Sequence, residues 1–305
     1  MILSPYTNCL LCGCETYVYD SKPQYLDYPI AKDRDLIKDV RIVRCKRCGF
    51  YRCLPMPIFN CDDYKILYNN NYYISSSKQW ETIRTRVIPN NILKTIQKHL
   101  PNNEIHMLDI GAGEGFLCVA AKQIGWHVEA IESNEELKTN LEKRGIITYL
   151  GNLDDIRFNN KYDVITMCEV LEHIYEYDKW INIMHRILKP RGILYVGLPN
   201  EDSLYNSYLK YAAIIKNIPW SRMAVFNVPY HLVGFNKHNL EYLLKKNGFT
   251  KIYIRVHAGP EKLMKSINNN KNYRNYVMRF IHYCILIIGQ CIGSGIHMVG
   301  IFRKE

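Results

Sequence analysis

The chain contains no internal repeat, no low-complexity tract and no basic tail or arm, which excludes a solenoid, a propeller and a disordered nucleic-acid-binding extension. Acidic residues are in short supply, 29 Asp and Glu against 40 Lys and Arg, for a net charge of +11. That sign favours nucleic acid, anionic lipid or a phosphorylated substrate as partner. The excess is nevertheless diffuse, with short clusters at 41–52 and 262–279, and reads as solvated surface, so a nucleic-acid partner is disfavoured. Residues 1–14 lack the positive n-region and apolar run of a secretory signal, so a cytoplasmic location is expected. In a reducing compartment the eleven cysteines are expected as metal ligands or core thiols rather than disulfides. With 48% hydrophobic and 23% charged residues, the 305 positions hold one α/β domain plus a small appendage or two.

Seven of the cysteines fall in the first 61 residues, and four form two C-x-x-C-G pairs, Cys9–Cys12 and Cys45–Cys48. Two intervening residues let one tight turn aim both sulfurs at a single ion, and the following glycine can take the positive φ such a turn requires. Two such knuckles make a tetrahedral, closed and therefore structural zinc site in a small ribbon. The 32 residues between the pairs exceed the usual spacing, so a long hairpin or loop must separate them. Cys14 and Cys53 lie close enough in sequence to replace a neighbour as ligand.

From about residue 104 apolar runs and helical spacing alternate. Residues 105–110 enter the glycine turn of "LDIGAGEGFL" (108–117) as a strand, 116–124 follow as a helix, and further strands read at 127–131, 163–167 and 193–198. Such alternation builds a doubly wound parallel sheet whose ligands sit beyond the carboxyl ends of the strands. Gly111, Gly113 and Gly115 fall where the chain must turn sharply and admit a ligand to its backbone. Glu132, 21 residues after Gly111, stands where a carboxylate accepts hydrogen bonds from ribose hydroxyls. Both NAD and S-adenosylmethionine satisfy that much. The dinucleotide fingerprint, however, wants its third glycine where Phe116 stands, and a pyrophosphate is repelled by Asp109 and Glu114. Those carboxylates suit a ligand with an ammonium and a sulfonium.

Five stretches, "LDIGAGEGFL", "AIESN", "GNLDDIRF", "KYDVITMCEVLEHI" and "RILKPRGILYVGLPN", resemble in order and spacing the class I S-adenosylmethionine-dependent methyltransferases, over roughly residues 80–260. The resemblance implies a Rossmann-like seven-stranded sheet closed by an antiparallel last strand, "GIHMVGIFRK". It also implies that Asp109, Gly111 and Gly113 surround the methionine part of the cofactor and that Glu132 holds the ribose. Asn152 and Leu153 would border the adenine, Cys168 and Glu169 would lie near the sulfonium, and Tyr73 in "NNNYYI" would close over the methionine end. Asn152 departs from the Asp of many relatives, but its carbonyl oxygen can still accept from the adenine amino group.

Methyl transfer from a sulfonium is an in-line displacement that demands alignment and exclusion of water. A hydroxyl acceptor gains from a general base, and His173 in "VLEHI" and His231 in "PYHLVGF" are the candidates for that catalytic role. A ribbon such as "IVRCKRCGF" ahead of this domain resembles a bacterial group found with surface-polysaccharide and secondary-metabolite pathways. Sugar C-methyltransferases with a similar zinc region continue into a further sizeable domain that this sequence does not show. The expected acceptor is therefore a small molecule or glycan, free or lipid-linked, methylated on oxygen. The alternative is a zinc-ribbon nucleic-acid binder whose methyltransferase fold acts on RNA or as a scaffold.

Residues 1–62 are expected to form the zinc ribbon, 63–103 a helical connector and cofactor lid, and 104–305 the methyltransferase domain. Within the last, 200–239 would cover the acceptor and 271–304 would supply a helix and the closing strand. Residues 281–302 run for 22 positions without Asp, Glu, Lys or Arg, but Gln290, Gly293, Ser294, Gly295 and His297 divide them into helix, turn and strand rather than a membrane span. The segment 273–290, flanked by Lys265, Lys271, Arg274 and Arg279, packs on the sheet of a monomer, joins a homodimer, or docks on the inner face of a membrane.

Overall fold

The structure, a computed structural model, describes residues 2–4, 8–20, 40–58, 83–101, 104–158, 161–217, 231–258 and 273–305. At the start of the chain lie β1 (Ile2–Ser4), β2 (Thr16–Asp20), β3 (Arg41–Cys45), β4 (Tyr51–Leu54) and β5 (Met56–Ile58). Strands β2, β3 and β4 form an antiparallel ribbon, and β1 pairs with β5.

A π-helical turn (Ile83–Val87) leads into α1 (Ile88–Gln97), whose second residue, Pro89, loses no hydrogen bond there because first-turn amides have no helical acceptor. Strand β6 (His106–Ile110) then enters the glycine turn, followed by α2 (Phe116–Gln123), β7 (His127–Glu132), α3 (Glu135–Lys143) and β8 (Ile147–Leu150). Asn134 caps α3, its side chain accepting from the amides of Glu136 and Leu137. Next come β9 (Tyr162–Cys168), α4 (Tyr177–Ile187), β10 (Leu188–Pro199), α5 (Leu204–Ile215), β11 (Val233–Gly234) and α6 (Lys237–Lys246). The chain closes with β12 (Phe249–His257), α7 (Tyr273–Cys291) and β13 (His297–Lys304).

Seven strands form one sheet in the order β12-β13-β10-β9-β6-β7-β8, parallel from β10 to β8, with β13 antiparallel to both neighbours. This is the Rossmann-like class I arrangement expected from the sequence, preceded by a four-cysteine cluster. The strand alternation divides the core between two faces. Leu108, Ile165, Leu194, Val196 and Phe302 pack with α4 and α6, while Met107, Val164, Ile193, Tyr195 and Ile301 pack with α1 and α2. Successive strands are added to one side of β6 as far as β8 and to its other side from β9 onward, and this switch in strand order opens a crevice at the carboxyl ends of β6 and β9.

The four-stranded sheet around the cysteines runs β11-β4-β3-β2, so residues 233–234 supply one of its edge strands to a ribbon that otherwise comes from the first 54 positions. Phe50 meets Phe235 and Tyr177 edge to face, with centroids 5.2 and 5.6 Å apart, and ribbon residues share a continuous apolar core with β6, β9 and β10. No helix among the described residues is long and apolar enough to cross a membrane. The described part of the 281–302 run divides into the end of α7, a turn at Gly293 with φ +72°, and β13.

Candidate functional site

Both knuckles form as the spacing implies. The Gly13 amide donates to the Cys9 carbonyl at 2.8 Å, the Gly49 amide donates to the Cys45 carbonyl at 3.2 Å, and the two glycines adopt φ of +72° and +70°. Sulfur separations are 3.6 Å for Cys9–Cys48 and 3.5 Å for both Cys12–Cys45 and Cys12–Cys48. A tetrahedron with metal–sulfur bonds of about 2.3 Å has edges of ~3.8 Å, whereas a disulfide requires ~2.05 Å. The donor set therefore fits one tetrahedral ion. Neither Cys14 nor Cys53 joins it: Cys14 accepts from Arg47, and the Cys53 thiol donates to the carbonyl of His231 at 3.6 Å.

At the switch point a cavity of about 220 Å³ opens between the β6 and β9 turns. Gly111 and Gly113 line one side with φ of +70° and +56°. A Cβ on Gly111 would stand 2.4 Å from Cγ2 of Val170, so the two turns approach as closely as glycine allows. Glu132 lines the cavity from the end of β7; its carboxylate accepts from the Gly113 amide at 2.7 Å and the Asn134 amide at 2.9 Å. Burial raises its pKa above the ordinary value, while these backbone donors act in the opposite sense. The Ser133 hydroxyl also donates to Oε1 at 3.4 Å, so it is Oε2 that keeps a lone pair for a further donor.

Asn152 lines the cavity beside Gly151, and its side chain caps the 3₁₀ turn Leu153–Asp155. Leu153 itself is fully buried beneath that turn and does not border the cavity. Asp109 does not reach the cavity either. Its carboxylate lies behind the glycine turn, accepting from the Thr166 hydroxyl at 2.6 Å and the Cys118 thiol at 3.3 Å. Burial lifts its pKa to about 6. The side chain thus ties β6 to β9 and α2.

Across the cavity stand Cys168, Glu169 and His173. Burial pushes the Cys168 thiol well above its ordinary pKa, which makes a thiolate role unfavourable. Glu169 sits at φ +55° and meets Nδ1 of His297 at 3.2 Å, which brings the closing strand to the site. His231 does not line the cavity; it meets His173 edge to face with ring centroids 5.0 Å apart. Tyr73 lies outside the described residues. In the described part of 200–239, Tyr205 and Tyr208 pack α5 against His282 of α7, with centroids 5.6 and 5.4 Å from its ring.

The sequence reading missed the apolar lining of the cavity and a buried carboxylate behind it. Ile131 and Trp180 give the cavity apolar walls suited to a planar ring, and the amphipathic spacing of α4 was the available signal for Trp180. Glu172 is buried at 2% exposure beside His173, and burial pushes its pKa well above the carboxylate range. Its signal was the second carboxylate of "EVLEH". A glycine turn free of side chains, a carboxylate at a strand end and apolar walls together fit an adenosine-bearing ligand.

A family model described as "Methyltransferase domain" matches residues 80–254. A ubiquinone biosynthesis O-methyltransferase from Pelagibacter ubique is 28% identical over 182 residues, covering 54% of this chain and 75% of the relative. One from Bartonella tribocorum is 30% identical over 112 residues, covering 33% and 44%. The crystal structure of a SAM-dependent methyltransferase from Archaeoglobus fulgidus superposes with a TM-score of 0.50 at 16% identity, covering 75% of this chain and all of that one, which shows the shared fold.

Proposed function

Because the chain belongs to the methyltransferase-domain family and is an S-adenosylmethionine-dependent methyltransferase, we propose that it methylates a hydroxyl of a small-molecule or glycan-linked acceptor. The observation that carries this reading is the cavity itself, with Gly111, Gly113 and Glu132 on one wall and Glu169 and His173 on the other. S-adenosylmethionine supplies an electrophilic methyl on a sulfonium. Glu132 accepts the ribose hydroxyls, Asn152 meets the adenine edge, and Ile131 and Trp180 enclose its faces. Glu169 and His173 border the end where an acceptor must align.

Hydroxyl methylation is favoured by the O-methyltransferase names of the relatives, and the sugar reading rests on the ribbon that precedes the domain. A structural zinc ion in the Cys9–Cys12–Cys45–Cys48 cluster belongs to the proposal, as do the divisions 1–62, 63–103 and 104–305. Calorimetric titration with S-adenosylmethionine and S-adenosylhomocysteine tests it. Binding of both, weakened about tenfold or more by Glu132→Ala, supports the assignment, a loss of about 1.4 kcal/mol or more. Full affinity in the variant would reject the role of Glu132. An acceptor panel of sugar nucleotides and phenols then separates the acceptor classes.

A further inference from the structure

Glu172, His173 and His231 bring one carboxylate oxygen and two ring nitrogens to within 4.8 Å of one another. Their proximity is built into the backbone. Glu172 and His173 are adjacent in the 3₁₀ turn Leu171–His173 that follows β9, and the Leu232 amide donates to the Glu172 carbonyl at 2.8 Å, setting His231 against them. The carboxylate of Glu172 is the unusual member. It is almost wholly buried, and neither oxygen has a hydrogen-bond partner among the described residues. A buried carboxylate left so is strongly unfavourable in its charged form unless something positive or hydrogen-bonding meets it. The ring of His173 has its Nε2 3.8 Å from Oε1, too long for a hydrogen bond.

We propose that Glu172, His173 and His231 bind a first-row divalent cation that holds the acceptor hydroxyl. Two imidazoles and one carboxylate are a borderline donor set suited to Zn²⁺, Co²⁺ or Mn²⁺. A tetrahedral site with bonds of about 2.1 Å has edges of ~3.4 Å, so the 3.8 Å separation of Oε1 and Nε2 needs only a small side-chain adjustment. Three protein ligands leave at least one position open, unlike the closed four-cysteine cluster. His173 lines the cavity and Glu169 borders the same wall, so that position faces the space where an acceptor meets the cofactor. A hydroxyl bound there has a lowered pKa. In the transfer its O–H proton leaves to solvent, the oxygen–methyl bond forms as the sulfur–methyl bond breaks, and S-adenosylhomocysteine departs.

The inference rests on the methyltransferase reading for its chemistry but not for its ligand set, and the test keeps the two apart. Full-length protein with its ribbon metal retained is titrated with Mn²⁺, followed by electron paramagnetic resonance, and separately with S-adenosylhomocysteine by calorimetry. One Mn²⁺ is expected beyond the ribbon metal, with Kd raised tenfold or more by Glu172→Gln and by His231→Gln, and with S-adenosylhomocysteine affinity unchanged. Glu172→Gln preserves shape and removes a buried charge, so it serves as the folded control should His231→Gln disturb β11. Failure of Mn²⁺, Co²⁺ and Zn²⁺ all to bind the folded protein beyond the ribbon metal overturns the site, as does binding that Glu172→Gln leaves intact. Absence of S-adenosylhomocysteine binding would instead overturn the cofactor assignment and leave the cation result standing.

Discussion

Leu232 is held on both sides by backbone hydrogen bonds: its amide donates to the carbonyl of Glu172 at 2.8 Å, and its carbonyl accepts the amide of Cys53 at 2.9 Å. One residue therefore joins strand β4 of the ribbon to the turn that carries His173. With β11 paired to Arg52 and Tyr51, the position of His231 depends on the ribbon being folded.

Closed zinc sites contribute folding energy directly, so Cys45→Ser should release the ribbon metal and loosen what the ribbon holds. Amides of residues 232–234 are expected to lose hydrogen-exchange protection together with β3 and β4. The cofactor wall of Gly111, Gly113 and Glu132 stands on β6 and β7, so S-adenosylhomocysteine affinity should change by less than about threefold, under ~0.7 kcal/mol. Exchange mass spectrometry beside zinc analysis measures this. A variant that keeps one zinc per chain would count against the four-cysteine site.

Asp109 should make stability pH-dependent. Burial raises its pKa from 3.8 to about 6, against the opposing donors Thr166 and Cys118. The folded protein then holds the proton more tightly than the unfolded chain. This contribution is complete below the ordinary value and is lost as pH rises through about 6. The difference is worth about 3 kcal/mol as an upper figure. Urea melts of wild type and Asp109→Asn between pH 4 and 7 should differ in slope, with the variant flatter; parallel curves would remove Asp109 as the source.

The same residue shows how far local pattern reaches. The places of Glu132, Asn152, Gly111 and Gly113 along the cavity were legible because they end strands or form turns at fixed offsets, and the knuckles because C-x-x-C-G implies a turn with positive φ. For Asp109 the resemblance implies a place around the methionine part of the cofactor; strand alternation sets Leu108 and Ile110 toward α4 and α6 and Met107 and Asp109 toward α2, with the Asp109 carboxylate behind the glycine turn. The β11 pairing with β4 joins residues about 180 positions apart through two residues, too few to carry a periodic signal. His297 was read as an interruption of an apolar run, and only the register of β13 beside β10 brings it to Glu169.

Gly111→Ala tests the close approach of the two turns. The new Cβ would meet Val170 at 2.4 Å in a backbone with φ +70°, combining overpacking with left-handed strain, together about 2–4 kcal/mol. Val170→Ala removes the steric part alone. The double variant should therefore recover about 1 kcal/mol or more relative to additivity, measured by chemical denaturation. Strict additivity would show that the turns separate freely.

Asp202 gathers the ribbon and the domain around one carboxylate. Arg44 donates to it at 3.0 and 3.2 Å, the Tyr51 hydroxyl at 3.1 Å and the Asn236 amide nitrogen at 2.7 Å. Arg44 and Tyr51 belong to β3 and β4, whereas Asn236 caps α6 and also donates to the Cys48 carbonyl at 3.3 Å. Partial exposure of the Arg44–Asp202 pair screens its charge, so the hydrogen bonds carry most of the effect. Asp202→Ala leaves three donors facing one gap and should cost about 2 kcal/mol. Asp202→Asn keeps one acceptor oxygen but presents Arg44 or Asn236 with an opposing NH₂ group, so it should cost about half as much. If both variants melt like wild type at high and low salt, the Asp202 contacts do not hold the ribbon to the domain, and the β11 pairing, the Leu232 bonds and the Phe50–Phe235 contact carry that role.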